Sequence, residues 1–324
     1  MTKAIRIHAP GGPEAMVLED VELGAPGPGQ ARVRHHAIGL NFLDVYHRTG
    51  LYKLPMPAGI GSEGAGVVEA VGEGVTNVKA GDRVAYASPP PGSYCEARNM
   101  AADRLVNLPD AISFEQGAAM MLKGMTVQYL IKRTFKVQPG MTVLWHAVAG
   151  GVGLIACQWL KALGATIIGT AGSPAKADLA RAHGCDHVIL YKQESFTEKV
   201  KAHTGGKGVP VVYDSVGKDT FMASLDCLQP FGMMVSFGNA SGPVQAFDLG
   251  ILAAKGSLFV TRATLNTYTA KREDLVASAG DLFDAVLTGK VKIEINQRYA
   301  LKDAAQAHRD LEGRKTTGST ILLP

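Results

Sequence analysis

Short apolar runs separated by glycine and proline fill the first third of the chain, and the pattern changes near Ser113. Up to there, stretches such as Gly64-Ala65-Gly66-Val67-Val68-Glu69-Ala70-Val71 and Asp82-Arg83-Val84-Ala85-Tyr86 lie between frequent turn residues. That spacing predicts short strands in a mostly β, barrel-like domain. Ser113-Phe114-Glu115-Gln116 has the capping-box form, in which Ser113 accepts from a backbone N–H and Gln116 reaches back, so a helix is expected to start there.

From about Thr126 to Arg262, strand-like runs alternate with helix-length segments, the pattern of a parallel sheet covered by helices. The predicted strands are Thr142–His146, Thr166–Thr170, His187–Tyr191, Val209–Asp214, Met233–Phe237 and Ser257–Val260. Six such strands define an α/β, doubly wound nucleotide-binding (Rossmann) fold. After Arg262 the pattern predicts a helix around Arg272–Leu287, a strand near Lys292–Ile295, a helix near Asp303–Leu311 and a strand near Ser319–Leu323. That tail is too short for a domain of its own. The expected division is therefore residues 1–125 with 263–324 as a catalytic, substrate-facing domain and 126–262 as the dinucleotide domain.

Composition narrows the class. With 324 residues and 46% apolar content the chain can bury two cores. Thirty-three basic against 29 acidic residues leave a net charge of +4, and no cluster of lysine and arginine with interleaved aromatics occurs, which argues against a nucleic-acid partner. No run reaches the ~20 apolar residues that cross a bilayer, and Met1-Thr2-Lys3-Ala4-Ile5-Arg6 has no signal-peptide core, so no membrane role and a cytoplasmic location are expected. Cys95, Cys157, Cys185 and Cys227 show no CxxC spacing and are expected to be reduced packing residues.

The strongest local signal is Thr142-Val143-Leu144-Trp145-His146-Ala147-Val148-Ala149-Gly150-Gly151-Val152-Gly153, running into a helical stretch that ends at Gly164. A strand that turns on small residues into a helix offers backbone N–H groups to a pyrophosphate, here those of Gly150, Gly151 and Val152. Val148 stands where the usual GxGxxG pattern has its first glycine. The next strand ends Ile168-Gly169-Thr170-Ala171-Gly172-Ser173 without the Asp or Glu that would bind an NAD ribose and repel a 2′-phosphate. Gly172, the expected N-cap Ser173, Pro174 and Lys176 together suit a phosphate, so NADPH is the expected cofactor.

Five motifs occur in order: Asn41-Phe42-Leu43-Asp44-Val45-Tyr46, Gly61-Ser62-Glu63-Gly64-Ala65-Gly66-Val67-Val68, Ala80-Gly81-Asp82-Arg83-Val84, Leu122-Lys123-Gly124-Met125-Thr126-Val127 and Ala149-Gly150-Gly151-Val152-Gly153. Over nearly its whole length the chain thereby resembles the quinone oxidoreductase (zeta-crystallin-like) branch of the medium-chain dehydrogenases/reductases. The resemblance implies a GroES-like first domain and an NADPH:quinone oxidoreductase activity. It also implies that Asn41, Phe42, Tyr46, Lys123, Thr126, Tyr129, Tyr191, Phe237, Gly238, Asn239 and Arg314 lie along the dinucleotide. In the zinc alcohol dehydrogenases that share this framework the catalytic metal is held by Cys, His and Cys; the corresponding positions here are Asn41, Ser62 and Lys123, and the four-cysteine structural zinc lobe is absent. No metal is expected.

Without a Lewis acid, an ordinary ketone or aldehyde is a poor substrate, whereas a quinone is intrinsically electrophilic and gains aromaticity on reduction. Asn41, Tyr46, Tyr52 and Thr126 are the candidate catalytic residues, as donors that orient a carbonyl or, for the tyrosines, deliver a proton. The cleft between the two domains is expected to hold NADPH and a flat acceptor. Reduction of enal or enone double bonds needs the same donors and is the nearest alternative; an RNA-binding or structural, crystallin-like role is the alternative of another class. The apolar edge strand at 257–260 is expected to pair with its copy in a homodimer.

Overall fold

The computed structural model describes residues Met1–Pro324. It begins with β1 (Thr2–Ile7), β2 (Met16–Val21), β3 (Gln30–Leu40), α1 (Phe42–Thr49), β4 (Ala58–Gly59), β5 (Glu63–Val71), β6 (Arg83–Ala87), β7 (Ala97–Ala101), β8 (Val106–Asn107) and α2 (Phe114–Tyr129). The start of α2 carries the expected reciprocal box: Ser113 N donates to Gln116 Oε1 at 3.0 Å, and Gln116 N donates to Ser113 Oγ at 3.1 Å. There follow β9 (Thr142–Trp145), α3 (Gly151–Ala162), β10 (Thr166–Ala171), α4 (Pro174–Ala182), β11 (His187–Leu190), α5 (Phe196–His203), β12 (Val209–Asp214), α6 (Phe221–Leu225), β13 (Leu228–Ser236), α7 (Gly250–Ala254) and β14 (Phe259–Arg262). The chain closes with α8 (Leu265–Tyr268), α9 (Arg272–Leu287), β15 (Ile295–Ala300), α10 (Ala304–Glu312) and β16 (Ser319–Leu323).

Two structural units divide this chain: Met1–Met125 with Tyr268–Leu287 and Ile293–Pro324, and Thr126–Thr267 with Thr288–Lys292. The first holds a three-stranded sheet, β2-β1-β4, and a seven-stranded sheet in the order β15-β16-β3-β5-β6-β8, with β7 also paired to β3. Only β15 and β16 run parallel; the other pairings are antiparallel. β3 is long enough to serve two partners on one edge, β7 along residues 30–34 and β16 along 38–40. One core gathers Ile5, Ile7, Ile38, Ile60 and Leu322, and a second gathers Val33, Val68, Val84, Tyr86 and Leu105.

In the second unit all six strands are parallel in the order β11-β10-β9-β12-β13-β14. Counted within this unit the order is 3-2-1-4-5-6, the doubly wound dinucleotide arrangement, whose order reverses beside β9. Leu144, Ile168, Ile189, Val212 and Met234, one from each of five strands, form the core of one face with Val200, Phe221 and Leu225 from the covering helices.

Three strands depart from their predicted bounds, of which β13, expected at Met233–Phe237, begins five residues earlier at Leu228. The strand expected near Lys292–Ile295 occupies Ile295–Ala300: Val291 and Ile293 alternate inward as in a strand, but pairing with β16 begins only at Ile295↔Ser319. The strand expected at Ser257–Val260 occupies Phe259–Arg262, because Ser257 sits in a turn at φ +56° and pairing with β13 starts at Phe259.

Candidate functional site

In the parallel sheet, the predicted nucleotide-contacting residues on β9, β10, β11 and β13 gather at the carboxyl ends of strands. β9 leads through His146 and Ala147, which adopts a left-handed φ of +57°, into Gly150, the N-cap of α3. The turn is pinned to the end of β10: Val148 N donates to Thr170 O (3.1 Å) and Ala147 N to Thr170 Oγ1 (3.2 Å). Buried His146 joins Thr170 Oγ1 (3.0 Å) to Ser224 Oγ (2.9 Å), and burial lowers its basicity, so it acts as a neutral hydrogen-bonding strut. A Cβ on Gly153 would stand 2.5 Å from Ala147 O, so only glycine lets α3 come this close to the turn. No side chain caps α3, which leaves the first N–H groups of the helix, from Gly151, Val152 and Gly153, open to an anion.

Val148, at the position of the missing glycine, is fully buried, and its methyl groups occupy the space that a Cβ on Gly169 of β10 would need. The departure from GxGxxG is thus absorbed one strand away.

At the end of β10, Ser173 caps α4, accepting from Lys176 N at 3.4 Å, with Pro174 at the first helical position. Tyr191 follows β11 and lies over Gly172, whose Cβ would be 3.1 Å from the tyrosine hydroxyl. After β13, Phe237 stacks edge-on against Trp145 (centroids 5.7 Å apart), and a Cβ on Gly238 would approach Ser215 O to 2.4 Å, so Phe237, Gly238 and half-buried Asn239 pass tightly over the loop after β12. Asp214 organises that loop by accepting from Val216 N (2.6 Å), Gly217 N (3.1 Å) and Thr220 Oγ1 (2.7 Å). Thr126 and Tyr129, toward the end of α2, are both buried.

The other unit brings together Asn41, Lys123 and a residue that the sequence reading did not single out, Glu63. Glu63 is completely buried at the start of β5. Its Oε2 accepts from Asn41 Nδ2 (2.8 Å) and pairs with Lys123 Nζ (3.2 Å), while its Oε1 accepts from the Leu122 backbone N–H (2.7 Å). Room for this carboxylate comes from Gly39, where a Cβ would lie 2.2 Å from both Glu63 Oε2 and Ala118 O. Its signal in the sequence is an acid set between small residues in an otherwise apolar strand, where burial demands partners.

Asp44 holds the entry to α1. Its Oδ2 accepts from Asn41 N (2.9 Å) and from the Tyr94 hydroxyl (3.0 Å), which in turn meets His308 Nε2 at 3.0 Å. Burial is the main cause that pushes the Asp44 carboxyl up to about 7 and the His308 imidazole down to about 3. Arg48, also buried, pairs through Nη2 with Glu312 Oε1 at 2.8 Å. The rings of Tyr46 and Tyr52 meet edge to face with centroids 5.4 Å apart, and Phe42 lies 6.3 Å from Tyr46. Phe42, Tyr46 and Tyr52 thus form one aromatic group on and just after α1. Arg314 follows α10, exposed, at φ +57°.

The donor set does not fit zinc. Asn41 gives one of its two amide N–H groups to Glu63 and could offer a metal only a neutral carbonyl oxygen, and Lys123 is a cation with no lone pair to give. No three His, Cys, Asp or Glu side chains are grouped to hold a metal ion, and all four cysteines are buried thiols.

The fold and site define a reductase framework with a dinucleotide sheet and a metal-free polar cluster. Residues 27–134 match the model of the alcohol dehydrogenase GroES-like domain and residues 151–278 that of the zinc-binding dehydrogenases. The chain is 57% identical to a quinone oxidoreductase of Pseudomonas aeruginosa and 47% identical to a 2-haloacrylate reductase of a Burkholderia species, covering all of this chain and 100% and 99% of those proteins. The crystal structure of Escherichia coli quinone oxidoreductase complexed with NADPH superposes with a TM-score of 0.98 at 50% identity, over 99% of this chain and all of that one. The chain belongs to the quinone oxidoreductase branch of the medium-chain dehydrogenase/reductase family.

Proposed function

We propose that this protein reduces quinones with NADPH and without a catalytic metal. The observation that carries the reading is the end of β10, where no acid follows the strand and Gly172, Ser173 and Lys176 open a helix N-terminus suited to a ribose 2′-phosphate. The relatives named for quinone reduction, and the NADPH held by one of them, support the same cofactor and acceptor class.

NADPH, when bound, supplies a hydride. The residues that hold it are the turn at Gly150, whose own N–H is taken by Ala147 O, with the open amides of Gly151 and Val152 at the pyrophosphate, Gly172, Ser173, Lys176 and Tyr191 at the adenosine phosphate end, and Phe237, Gly238 and Asn239 beyond β13. Thr126 and Tyr129, Phe42 on α1 and the Arg314 guanidinium complete the cofactor contacts. Asn41, Tyr46, Tyr52 and Thr126 orient the acceptor, with a tyrosine hydroxyl or solvent supplying the proton that balances hydride addition. The near-identical size and coverage of the 2-haloacrylate reductase favour a second reading, reduction of an activated C=C bond by the same cofactor.

No helix is long and apolar enough to cross a membrane, and a cytoplasmic protein is our reading. β14 closes one edge of the parallel sheet with Phe259 56% exposed and Val260 36% exposed, which supports pairing of this edge with its copy in a homodimer.

The test is oxidation of NADPH and NADH with 1,4-benzoquinone in the presence of a chelator, beside 2-haloacrylate and an enone. Chelator-insensitive turnover of the quinone with NADPH is expected. Turnover confined to the C=C substrates transfers the assignment to the second reading, and loss of activity on chelation removes the metal-free one.

A further inference from the structure

Lys123 is nearly sealed, its side chain 7% exposed, yet Glu63 accounts for only one of its three ammonium N–H donors. A buried cation normally has its donors satisfied, and the two N–H groups that Glu63 does not take are free of any protein acceptor, so they are available to the oxygen of a ligand at this polar cluster. Hydride addition to a quinone places negative charge on its carbonyl oxygen, and fixed donors aimed at developing charge are the largest common source of catalysis. From this we infer that Lys123 is a catalytic residue that donates to the acceptor oxygen, and that Glu63 is the positioning residue that holds it there.

The geometry assigns Glu63 that task for three reasons. Its carboxylate neutralises the ammonium, without which a charge so deeply buried would be costly. It ties β5, the Asn41 amide at the head of α1, and α2 into one array through three donors. And Gly39 is shaped around it, since any side chain there would displace the carboxylate. A carboxylate needed only as a counter-ion would not also have to grip the Leu122 N–H in mid-helix; that bond fixes the backbone from which Lys123 projects.

This inference rests on the quinone reading of the site, and the experiment separates the two. Lys123→Met, Glu63→Gln and the double variant are assayed with NADPH against substituted 1,4-benzoquinones of graded electrophilicity, while NADPH affinity is measured by its fluorescence and folding by thermal melting. The double variant removes both charges and guards against misfolding from an unpaired one. The expected result is a fall in kcat for Lys123→Met that grows from a few-fold for the strongest acceptor to about 100-fold for the weakest. Glu63→Gln is expected to show the same trend in smaller degree, and the double variant to be no worse than Lys123→Met alone. This moves Lys123 from the dinucleotide, where the family resemblance would place it, to the acceptor: NADPH affinity should stay within about twofold throughout, a shift too small to report a lost charged contact. An equal loss across the acceptor series, additive losses in the double variant, or weakened NADPH binding by Lys123→Met would each overturn the inference; the last would make Lys123 a cofactor contact. A wild-type protein that binds NADPH but turns over no quinone overturns the functional reading, and this inference with it.

Discussion

Val148 fills the space that Gly169 leaves open: a Cβ at residue 169 would come within 2.5 Å of a Val148 methyl carbon and 2.7 Å of Cys185 Sγ. The two residues are therefore a matched pair between the turn after β9 and β10. Gly169→Ala should destabilise the protein by ~1–3 kcal/mol through overpacking. Adding Val148→Ala should recover part of that loss, because it removes the methyl groups in the way. Chemical denaturation of the three variants measures both effects; independent, additive changes would break the pairing.

Lys176 sits in the first turn of α4, behind the Ser173 cap. Replacing it with alanine should weaken NADPH binding by roughly 10- to 100-fold, the worth of a charge-assisted contact, with little effect on NADH. Titration of each cofactor by fluorescence checks this. Unchanged NADPH affinity with NADH still poor would remove Lys176 from the phosphate site.

Acid should destabilise the fold in a defined window. Burial lowers His35 from 6.5 to about 4 and His308 to about 3, so the unfolded chain binds protons that the folded one refuses, and the stability these groups contribute above pH 6.5 is lost as pH falls toward 4. Asp44, raised from 3.8 to about 7, acts in the opposite sense: the folded state keeps its proton, and its contribution is lost as pH rises through the same range. The histidines outnumber it, so stability should rise between pH 4 and 6.5. Asp44→Asn removes the opposing group and should steepen that rise by about 1.4 kcal/mol per pH unit. Denaturation midpoints at several pH values read the slope, and parallel curves for wild type and variant would contradict the assignment.

Phe259 stands on the exposed edge strand β14. Light scattering should give the wild type twice the 34.1 kDa chain mass, and Phe259→Asp should shift it toward one chain. A dimer indifferent to that change would place the contact elsewhere.

Much of the architecture was legible because buried parallel strands read as unbroken apolar runs and caps carry their own chemistry. Val209–Asp214, Arg272–Leu287 and Ser319–Leu323 occupy the residues that the pattern predicts, and the Ser113/Gln116 box forms as written. β15 starts later than the alternation suggests because inward positions at Val291 and Ile293 report burial, while strand pairing depends on a partner, β16, more than twenty residues further on. The glycine turn could be read locally, since phosphate-binding backbone is contiguous in sequence. Glu63 shows locally only as an acid in an apolar strand: its partners lie 22 and 60 residues away, and nothing near it in sequence says which donors will reach it. The same holds for Tyr94 and His308, which meet across 214 positions.

The position of β16 between β15 and β3 has a consequence for synthesis on the ribosome. A growing chain that has emerged as far as Thr267 already contains all six strands of the parallel sheet, whereas the sheet that includes β3 still lacks an internal strand until Leu323 has been added. Domains fold as units once their residues are available. The portion translated first therefore cannot complete its sheet until the last strand has emerged, while every strand of the portion translated after it is available earlier.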